Sequence, residues 1–313
     1  MTASARPGFT GLVGVLPPRR PAVATLARDL GLDHALIERL GQGGLRHIPV
    51  DAPRPLAALV TEALKELARQ TGSLSDQVAL VLLAHSVTWL APGGCDPLTG
   101  ALEAVGLASV PRIFLSGQPC AIFHFALNRA LDLLGDLPAG QGILVIGADK
   151  AWRDEDRFFF GSAMGEGVVA GVLTAQAASH RLLGTGSQSL VVACQGEDSP
   201  AEAIARFRAM SPLQLRQVVE RVLAEAGHRI DDLAWIAPHT PYLAMWDTMC
   251  AVLRFPRERV LTRLLPETGH LNSNDSVYHY LRAANEGIVR PDDLVLLVNP
   301  GFGGTWGCTL IQY

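Results

Sequence analysis

Leu115-Ser116-Gly117-Gln118-Pro119-Cys120-Ala121-Ile122-Phe123-His124 is the stretch whose reading decides the fold. The apolar run Ile113-Phe114-Leu115 predicts a short buried strand, and Gly117 with Pro119 predicts a turn. From Cys120 the apolar spacing becomes helical, through Ile122, Phe123, Ala126, Leu127, Ala130 and Leu134, with Gly135 as the stop. Strand, sharp turn and helix put a thiol at the first turn of the helix. Unpaired N–H groups and the positive end of the helix dipole favour a thiolate there. Cys120 is then either a nucleophile or a small buried apolar residue, and the local pattern leaves both open.

Outward from this stretch the chain repeats itself. Val78 to Ala84 and Gly142 to Gly147 are apolar runs too continuous for a one-sided sheet, as buried parallel strands are. Thr10 to Leu16 reads as a first strand, Val23 to Leu40 and Pro55 to Arg69 as helices, and Leu98 to Val105 as a short helix after a loop with Pro92, Gly93, Gly94 and Pro97. Phe158 to Leu173 reads as a strand pair turning at Gly165-Glu166-Gly167. The same order returns in the amphipathic helix Leu213 to Ala226, the strand Leu233 to Ala237, the extended Val260-Leu261, the helix within Gly269 to Glu286, and the strands Leu294 to Val298 and Trp306 to Ile311. The period is far longer than a solenoid's. It predicts duplication of one α/β unit, an N-terminal half over 1–178 carrying the thiol and a C-terminal half over 179–313, with His180 to Ser189 as the crossing.

Composition bounds the function. The 313 residues are 49% hydrophobic and 18% charged, a composition for a large buried core, and the net charge of −4 gives no basic footprint for nucleic acid. The five cysteines (95, 120, 194, 250, 308) form no CxxC pair and are odd in number, which argues against a disulfide framework or a zinc cage and fits a reducing cytoplasm. No apolar stretch approaches the roughly 18 residues of a membrane span, and Met1 to Pro21 has no apolar signal core. The expectation is a cytoplasmic protein without a membrane, nucleic-acid or metal partner.

Three more places carry chemistry. His239 follows the strand Trp235-Ile236-Ala237-Pro238 directly, where ligands of open α/β sheets bind. His270, in Thr268-Gly269-His270-Leu271-Asn272-Ser273-Asn274-Asp275, stands at a helix start, and Asp275 either orients an imidazole or complements the dipole. Gly301-Phe302-Gly303-Gly304 is either a tight turn or a set of N–H donors for an oxyanion. In the duplicated fold the helix opening at His270 corresponds to the one opening at Cys120, so the two loops face each other across a pseudo-twofold axis. A thiol, two imidazoles and a donor loop are the groups acyl transfer through a thioester requires.

As a whole the sequence resembles the β-ketoacyl-acyl-carrier-protein synthase III group of the thiolase-like superfamily, from Gly11 to the C-terminus. The resemblance lies in Leu36-Ile37-Glu38-Arg39 with Arg46-His47-Ile48, the Cys120 helix, Asp156-Arg157, Gly165-Glu166-Gly167, Pro238-His239 and Gly303-Gly304-Thr305-Trp306-Gly307. It implies a five-layered αβαβα fold, a homodimer, and no cofactor beyond the acyl thioester itself, on acyl carrier protein or coenzyme A. It further implies a Cys120, His239, His270 set that loads an acyl group and condenses it with a malonyl-type thioester. The N–H groups of Cys120 and Phe302, beside Gly303, would hold the oxyanion; one such donor is worth about 3–4 kcal/mol. Neutral imidazoles donating through Nε2 would stabilise the enolate.

The departures from the pattern are specific. Gly269-His270 stands where the family has Gly-Asn. A Cys-His-His set and Gly301-Phe302-Gly303-Gly304-Thr305 resemble the chain-elongating synthases. His270 with Asp275 resembles an atypical antibiotic-pathway branch that includes acyltransferases to oxygen or nitrogen. Ala35 replaces the tryptophan that packs on the adenine of coenzyme A, and Gly41-Gln42-Gly43-Gly44 replaces an arginine turn, which shifts the expected donor toward a carrier-protein thioester. The alternatives to condensation are transfer of the Cys120-bound acyl group to a hydroxyl or amine, and a non-catalytic subunit that completes another synthase's dimer.

Overall fold

The computed structural model describes residues 6–51, 54–86, 96, 98–151, 153–193 and 195–313. The loop anticipated around Pro92 to Pro97, apart from Asp96, and Cys95 and Cys194 lie outside the described residues. The first half runs β1 (Gly8–Val15), α1 (Val23–Asp29), α2 (His34–Gln42), α3 (Leu56–Thr71), β2 (Val78–Ala84), α4 (Thr99–Glu103), β3 (Arg112–Leu115), α5 (Ile122–Leu134), β4 (Gly142–Asp149), β5 (Phe158–Phe159), β6 (Ser162–Ala163) and β7 (Gly167–Thr174). The second runs β8 (Arg181–Ser189), α6 (Ala201–Glu225), β9 (Trp235–Pro238), α7 (Met245–Leu253), α8 (Leu265–Thr268), α9 (Asp275–Asn285), β10 (Leu294–Gly301) and β11 (Thr305–Gln312).

Strand order shows the duplication. The sheet reads β3-β2-β4-β7-β1-β8-β11-β10-β9. Outward from the β1/β8 seam each half has an antiparallel pair and then parallel strands: β1-β7-β4-β2-β3 on one side, β8-β11-β10-β9 on the other. Val260 continues the second series by a parallel bridge to Ile236, in the place β3 holds in the first. The seam itself is a single pairing, Gly8 with Arg181.

Helices fill three layers around these strands. On one outer face α3 covers β1 and β7 and packs on α4; on the other α6 covers β8 and β11 and packs on α7. Between the halves lie α5, against β2, β4, β8 and β11, and α9, against β1, β9 and β10. The order α-β-α-β-α is the five-layered arrangement of a thiolase-like fold. The middle layer holds Phe123, Ala126 and Leu127 from α5 with Val277, Tyr280 and Leu281 from α9. Each such side chain, fully buried, stabilises the fold by about 1.5–3 kcal/mol.

The structure corrects several local readings. The strand Ile113-Phe114-Leu115 is β3, an edge strand; Ile113 and Phe114 are each 42% exposed, because the described chain places nothing over that edge. The single helix expected over Val23 to Leu40 is two, α1 and α2. Gly31, at φ +70°, ends α1, with Gly31 N–H on the Arg28 carbonyl and Leu32 N–H on the Ala27 carbonyl, a glycine-terminated helix stop. The pair within Phe158 to Leu173 turns at Phe160-Gly161, between β5 and β6, and not at Gly165-Glu166-Gly167. His180 to Ser189 is not a linker but lies almost wholly in β8, whose hydrogen bonds to β11 satisfy its polar backbone. The helix read from Leu213 begins at Ala201, with Pro212 inside it.

One close approach ties the two halves at their centre. Gly301 packs against the Pro119 carbonyl, one residue before Cys120, and a Cβ on Gly301 would overlap that oxygen and Thr305 Oγ1. The same carbonyl accepts from Ala121 N–H at 2.7 Å and Thr305 Oγ1 at 2.9 Å. Gly301→Ala is expected to cost about 1–3 kcal/mol, read as a lower thermal midpoint. Gly41→Ala, in open space on α2, is the control and leaves the midpoint unchanged or raises it.

Candidate active site

Cys120 sits two residues ahead of α5, not in its first turn, and at φ +57° it occupies the left-handed region that most side chains avoid. The strain is held by its neighbours. Its N–H donates to Ser86 Oγ at 3.2 Å, and the carbonyl before it is fixed by Ala121 and Thr305. This turn aims Sγ at the seam between the halves.

The two imidazoles arrive from the other half on fixed backbone. His239 ends β9, its N–H on the Val298 carbonyl at 2.8 Å and its carbonyl taking the Trp246 indole N–H at 2.6 Å. His270 is pinned to the first half: its N–H bonds the Ala163 carbonyl at 3.0 Å and its carbonyl accepts from Gly165 N–H at 2.9 Å. The rings meet edge to face with centroids 4.5 Å apart. His270 Nε2 is 3.8 Å from Cys120 Sγ, and its Nδ1 is 2.7 Å from Asp275 Oδ2. His239 Nδ1 is also close to Asp275 Oδ2, at 3.1 Å, but without the alignment of a good hydrogen bond. Asp275, fully buried, further accepts Thr240 N–H at 2.8 Å and Leu271 N–H at 2.6 Å.

The electrostatics follow from this cluster. Burial pushes the Asp275 carboxyl up, but the charge and hydrogen bond of His270 and the close approach of His239 outweigh it and hold it well below the usual carboxylate range. Burial lowers His270, and the Asp275 charge and hydrogen bond more than reverse this, so the ring favours its cation. Burial likewise raises the Cys120 thiol, yet the charge and hydrogen bonding of His239 and then His270 bring it down to about 7. The cluster thus favours a thiolate–imidazolium pair backed by a carboxylate over the neutral thiol and ring. Because Nδ1 of His270 donates to Asp275, a neutral His270 has a bare Nε2. It accepts there and does not donate, contrary to the neutral donor expected from sequence; only the cation donates toward Sγ.

Two cavities meet at the sulfur. One, of about 770 Å³, is bounded by Ser86, Met164, Leu190, Asn272 and the Phe302-Gly303-Gly304 turn; the other, of about 260 Å³, runs past His239 and His270 to Phe207, Tyr242 and Met245. Phe302 stacks on Phe160 at 3.5 Å between centroids, both rings lining both cavities. Gly303 (φ +92°) and Gly304 (φ +106°) make the turn that brings Phe302 to Cys120. Thus Cys120, His239, His270 and Asp275 converge, and Phe302 lines both cavities with Cys120 while Gly303 lines the larger. The Cys120 N–H, expected to face an oxyanion, is engaged by Ser86, so a substrate oxygen would take the place of that hydroxyl.

Ser86, Asp149 and His124 were not singled out from sequence. Ser86 follows β2 as Thr240 follows β9, so the strand-end rule that drew attention to His239 applied there too. Asp149 Oδ1 takes Ser86 N–H at 2.7 Å and Oδ2 takes Ser273 Oγ at 3.0 Å, linking the halves behind the cysteine. His124, one turn after Cys120, is buried between Thr309 Oγ1 at 2.8 Å and Asn299 Oδ1 at 2.9 Å, and burial lowers it to about 4, keeping it neutral. Asn299 also accepts from Ser276 and donates to the Asn272 carbonyl at 3.3 Å, so this polar knot fixes α5 to the loop of His270. Asp156 lines the larger cavity, whereas buried Glu166 pairs with Arg157 and with Lys150 at 3.0 Å away from it.

Residues 223–313 match the family model described as 3-oxoacyl-[acyl-carrier-protein] synthase III C terminal. The β-ketoacyl-[acyl-carrier-protein] synthase III of Rhizorhabdus wittichii is 25% identical over 97% of this chain and 98% of its own. That of Bordetella petrii is 27% identical over 97% of each. The fold is similar to that of an acyltransferase, ChlB3 (TM-score 0.84, 22% identity, covering 98% of this chain and 97% of that one). It is also similar to that of 3-oxoacyl-(acyl carrier protein) synthase III from Pseudomonas aeruginosa (TM-score 0.79, 22% identity, 98% of each).

The charge cluster sets a measurable quantity. Alkylation of Cys120 by iodoacetamide is expected to rise with pH through about 7. In Asp275→Asn the amide no longer supports the His270 cation, so the midpoint moves up by about one pH unit or more. An unchanged midpoint would show that His239 alone sets the thiol.

Proposed function

We propose that the chain is a β-ketoacyl-acyl-carrier-protein synthase III-like member of the thiolase-like superfamily, an acyl-transferring enzyme, and that Cys120 is its nucleophile in a decarboxylative condensation. The observation that carries this is the convergence of two cavities on one sulfur that faces His270 Nε2 at 3.8 Å. Two substrates, donor and acceptor, need two approaches to one atom.

The thiolate attacks the thioester carbonyl. The oxyanion takes the Cys120 N–H from Ser86, with the Phe302-Gly303 turn alongside. As the intermediate collapses, the His270 imidazolium gives its Nε2 proton to the departing thiolate, and Asp275 retains the ring's orientation. A malonyl-type thioester then enters; carbon dioxide leaves, and its bonding electrons form an enolate beside His239 and His270. The enolate carbon attacks the acyl-cysteine, and the cysteine thiolate departs.

A carrier-protein thioester is the proposed donor. The smaller cavity reaches Tyr242, which packs on Gly43, and Leu243 N–H bonds the Gly43 carbonyl at 3.0 Å. Ala35 and Gly41 to Gly44 stand in the sequence where the family resemblance expects the tryptophan that packs on adenine and an arginine turn. The relatives named above carry the carrier protein in their names. We also propose a homodimer, supported by the exposed Ile113 and Phe114 on edge strand β3 and by Leu190 and Val191, exposed at the rim of the larger cavity. Among the described residues no helix is long and apolar enough to cross a membrane.

One observation favours a second acceptor class. After loading, neutral His270 with Nδ1–H on Asp275 presents a bare Nε2, the form of a general base for a hydroxyl or amine.

Weighing the protein after incubation with acyl-carrier-protein and coenzyme A thioesters tests the loading step. One acyl adduct per chain is expected, lost in Cys120→Ala; an undiminished adduct in that variant removes the assignment. Carbon dioxide release from a malonyl thioester then separates condensation from transfer to a hydroxyl or amine. His270→Asn is expected to keep part of the condensation, since His239 stays and the amide places an N–H beside the enolate, and to lose transfer to oxygen or nitrogen, which needs the bare Nε2 as base.

A further inference from the structure

Cysteine spacing along the chain argues against a zinc cage, but the fold assembles a different donor set. Cys120 Sγ and one ring nitrogen each of His239 and His270 lie within 4.8 Å of one another, on three buried residues. Both rings turn Nδ1 toward Asp275, at 2.7 and 3.1 Å, and this leaves the Nε2 edges for the sulfur. A carboxylate behind a ligating imidazole is the usual support in zinc sites. Tetrahedral zinc, with sulfur at about 2.3 Å and nitrogen at about 2.0–2.1 Å, holds them about 3.5 Å apart; the His270 Nε2 to Sγ distance is 3.8 Å. Side-chain rotations of about 1 Å bring the rest of the set, spread within 4.8 Å, to the same spacing.

Charge points the same way. The thiolate and Asp275 supply two negative charges and a divalent cation two positive, so the filled cluster is neutral at a buried position where an uncompensated charge is costly. Sulfur and imidazole ligands select a borderline-soft ion over magnesium or calcium. Three protein ligands leave one tetrahedral position, and both cavities open on it.

We propose that Cys120, His239 and His270 form a binding site for a thiophilic divalent cation of the zinc type, and that this cation and an acyl group compete for the same sulfur. As the cation binds the thiolate and the two imidazoles, the Nε2 proton of the His270 imidazolium passes to solvent; nothing is oxidised or reduced. The acylated sulfur has no thiolate to offer, so a loaded enzyme is protected and an idle one is held. The metal acts as a reversible brake and takes no part in the reaction. The site stands on donor geometry and does not depend on which acceptor the enzyme uses.

Cobalt(II) titrated into chelator-stripped protein is the test. One cobalt per chain is expected, with a near-ultraviolet sulfur-to-metal band and the intense visible bands of four-coordination, bleached by zinc. The near-ultraviolet band is expected to vanish in Cys120→Ser and in wild-type protein alkylated at Cys120 with its circular dichroism intact, which covers a variant that fails to fold. Asp275→Asn is expected to bind about 10–100-fold more weakly. Absence of the bands, or a sulfur band that survives alkylation of Cys120, overturns the proposal. Neither readout requires turnover, so failure of the site and failure of the condensation reading are told apart.

Discussion

A single buried carboxylate governs the centre of this molecule. Asp275 has no exposed surface, and its two oxygens take two backbone N–H groups and face both imidazoles. Because it keeps its negative charge, the ring of His270 favours its positive one, and the two imidazoles, His239 first and then His270, bring the cysteine thiol down. The chain of causes runs carboxylate, imidazolium, thiolate. It also fixes the tautomer: Nδ1 is committed to Asp275, so the nitrogen facing the sulfur alternates between proton donor and proton acceptor as the ring changes charge.

The fold exists to hold that chain of groups across a seam. Each half contributes half of it, the thiol from one and the carboxylate and imidazoles from the other, so neither half has the site alone. Backbone bonds from Ala163 and Gly165 to His270, the side-chain bond of Ser273 to Asp149, and the His124–Asn299 knot all cross between the two halves. These are polar contacts in a nearly dry layer, satisfied in pairs. Removing one partner leaves the other buried and unmet, which costs about 1–3 kcal/mol. The surrounding apolar layers supply stability; the polar bonds supply alignment.

Much of the architecture could be read before any coordinates. The continuous apolar runs at Val78 to Ala84 and at Leu294 to Val298 are strands because only a strand covered on both faces is apolar at every position. Repetition of the element order pointed to a duplicated unit; Cys120 and His239 stood out because each follows a strand, and His270 because it stands at a helix start. Ile113 and Phe114 misled because hydrophobicity records what a surface is suited to cover and not whether a neighbour is present. His180 to Ser189 misled for the opposite reason: a polar strand with glycines at 184 and 186, packed close on Val222 of α6, looks like a linker when its partners are unseen. Ser86 and His124 carry no pattern of their own, since a serine or a histidine is defined only by what it meets.

The sequence alone determined the element types, the duplication and the residues able to do thioester chemistry, because periodicity, turn chemistry and side-chain type are local properties of the chain. The tertiary structure alone decided that Asp275 serves both imidazoles, that Ser86 holds the Cys120 amide, that β3 is an uncovered edge and that three distant ligands could share one cation. Those are matters of distance and dielectric between residues up to 150 positions apart, and no local rule carries that information.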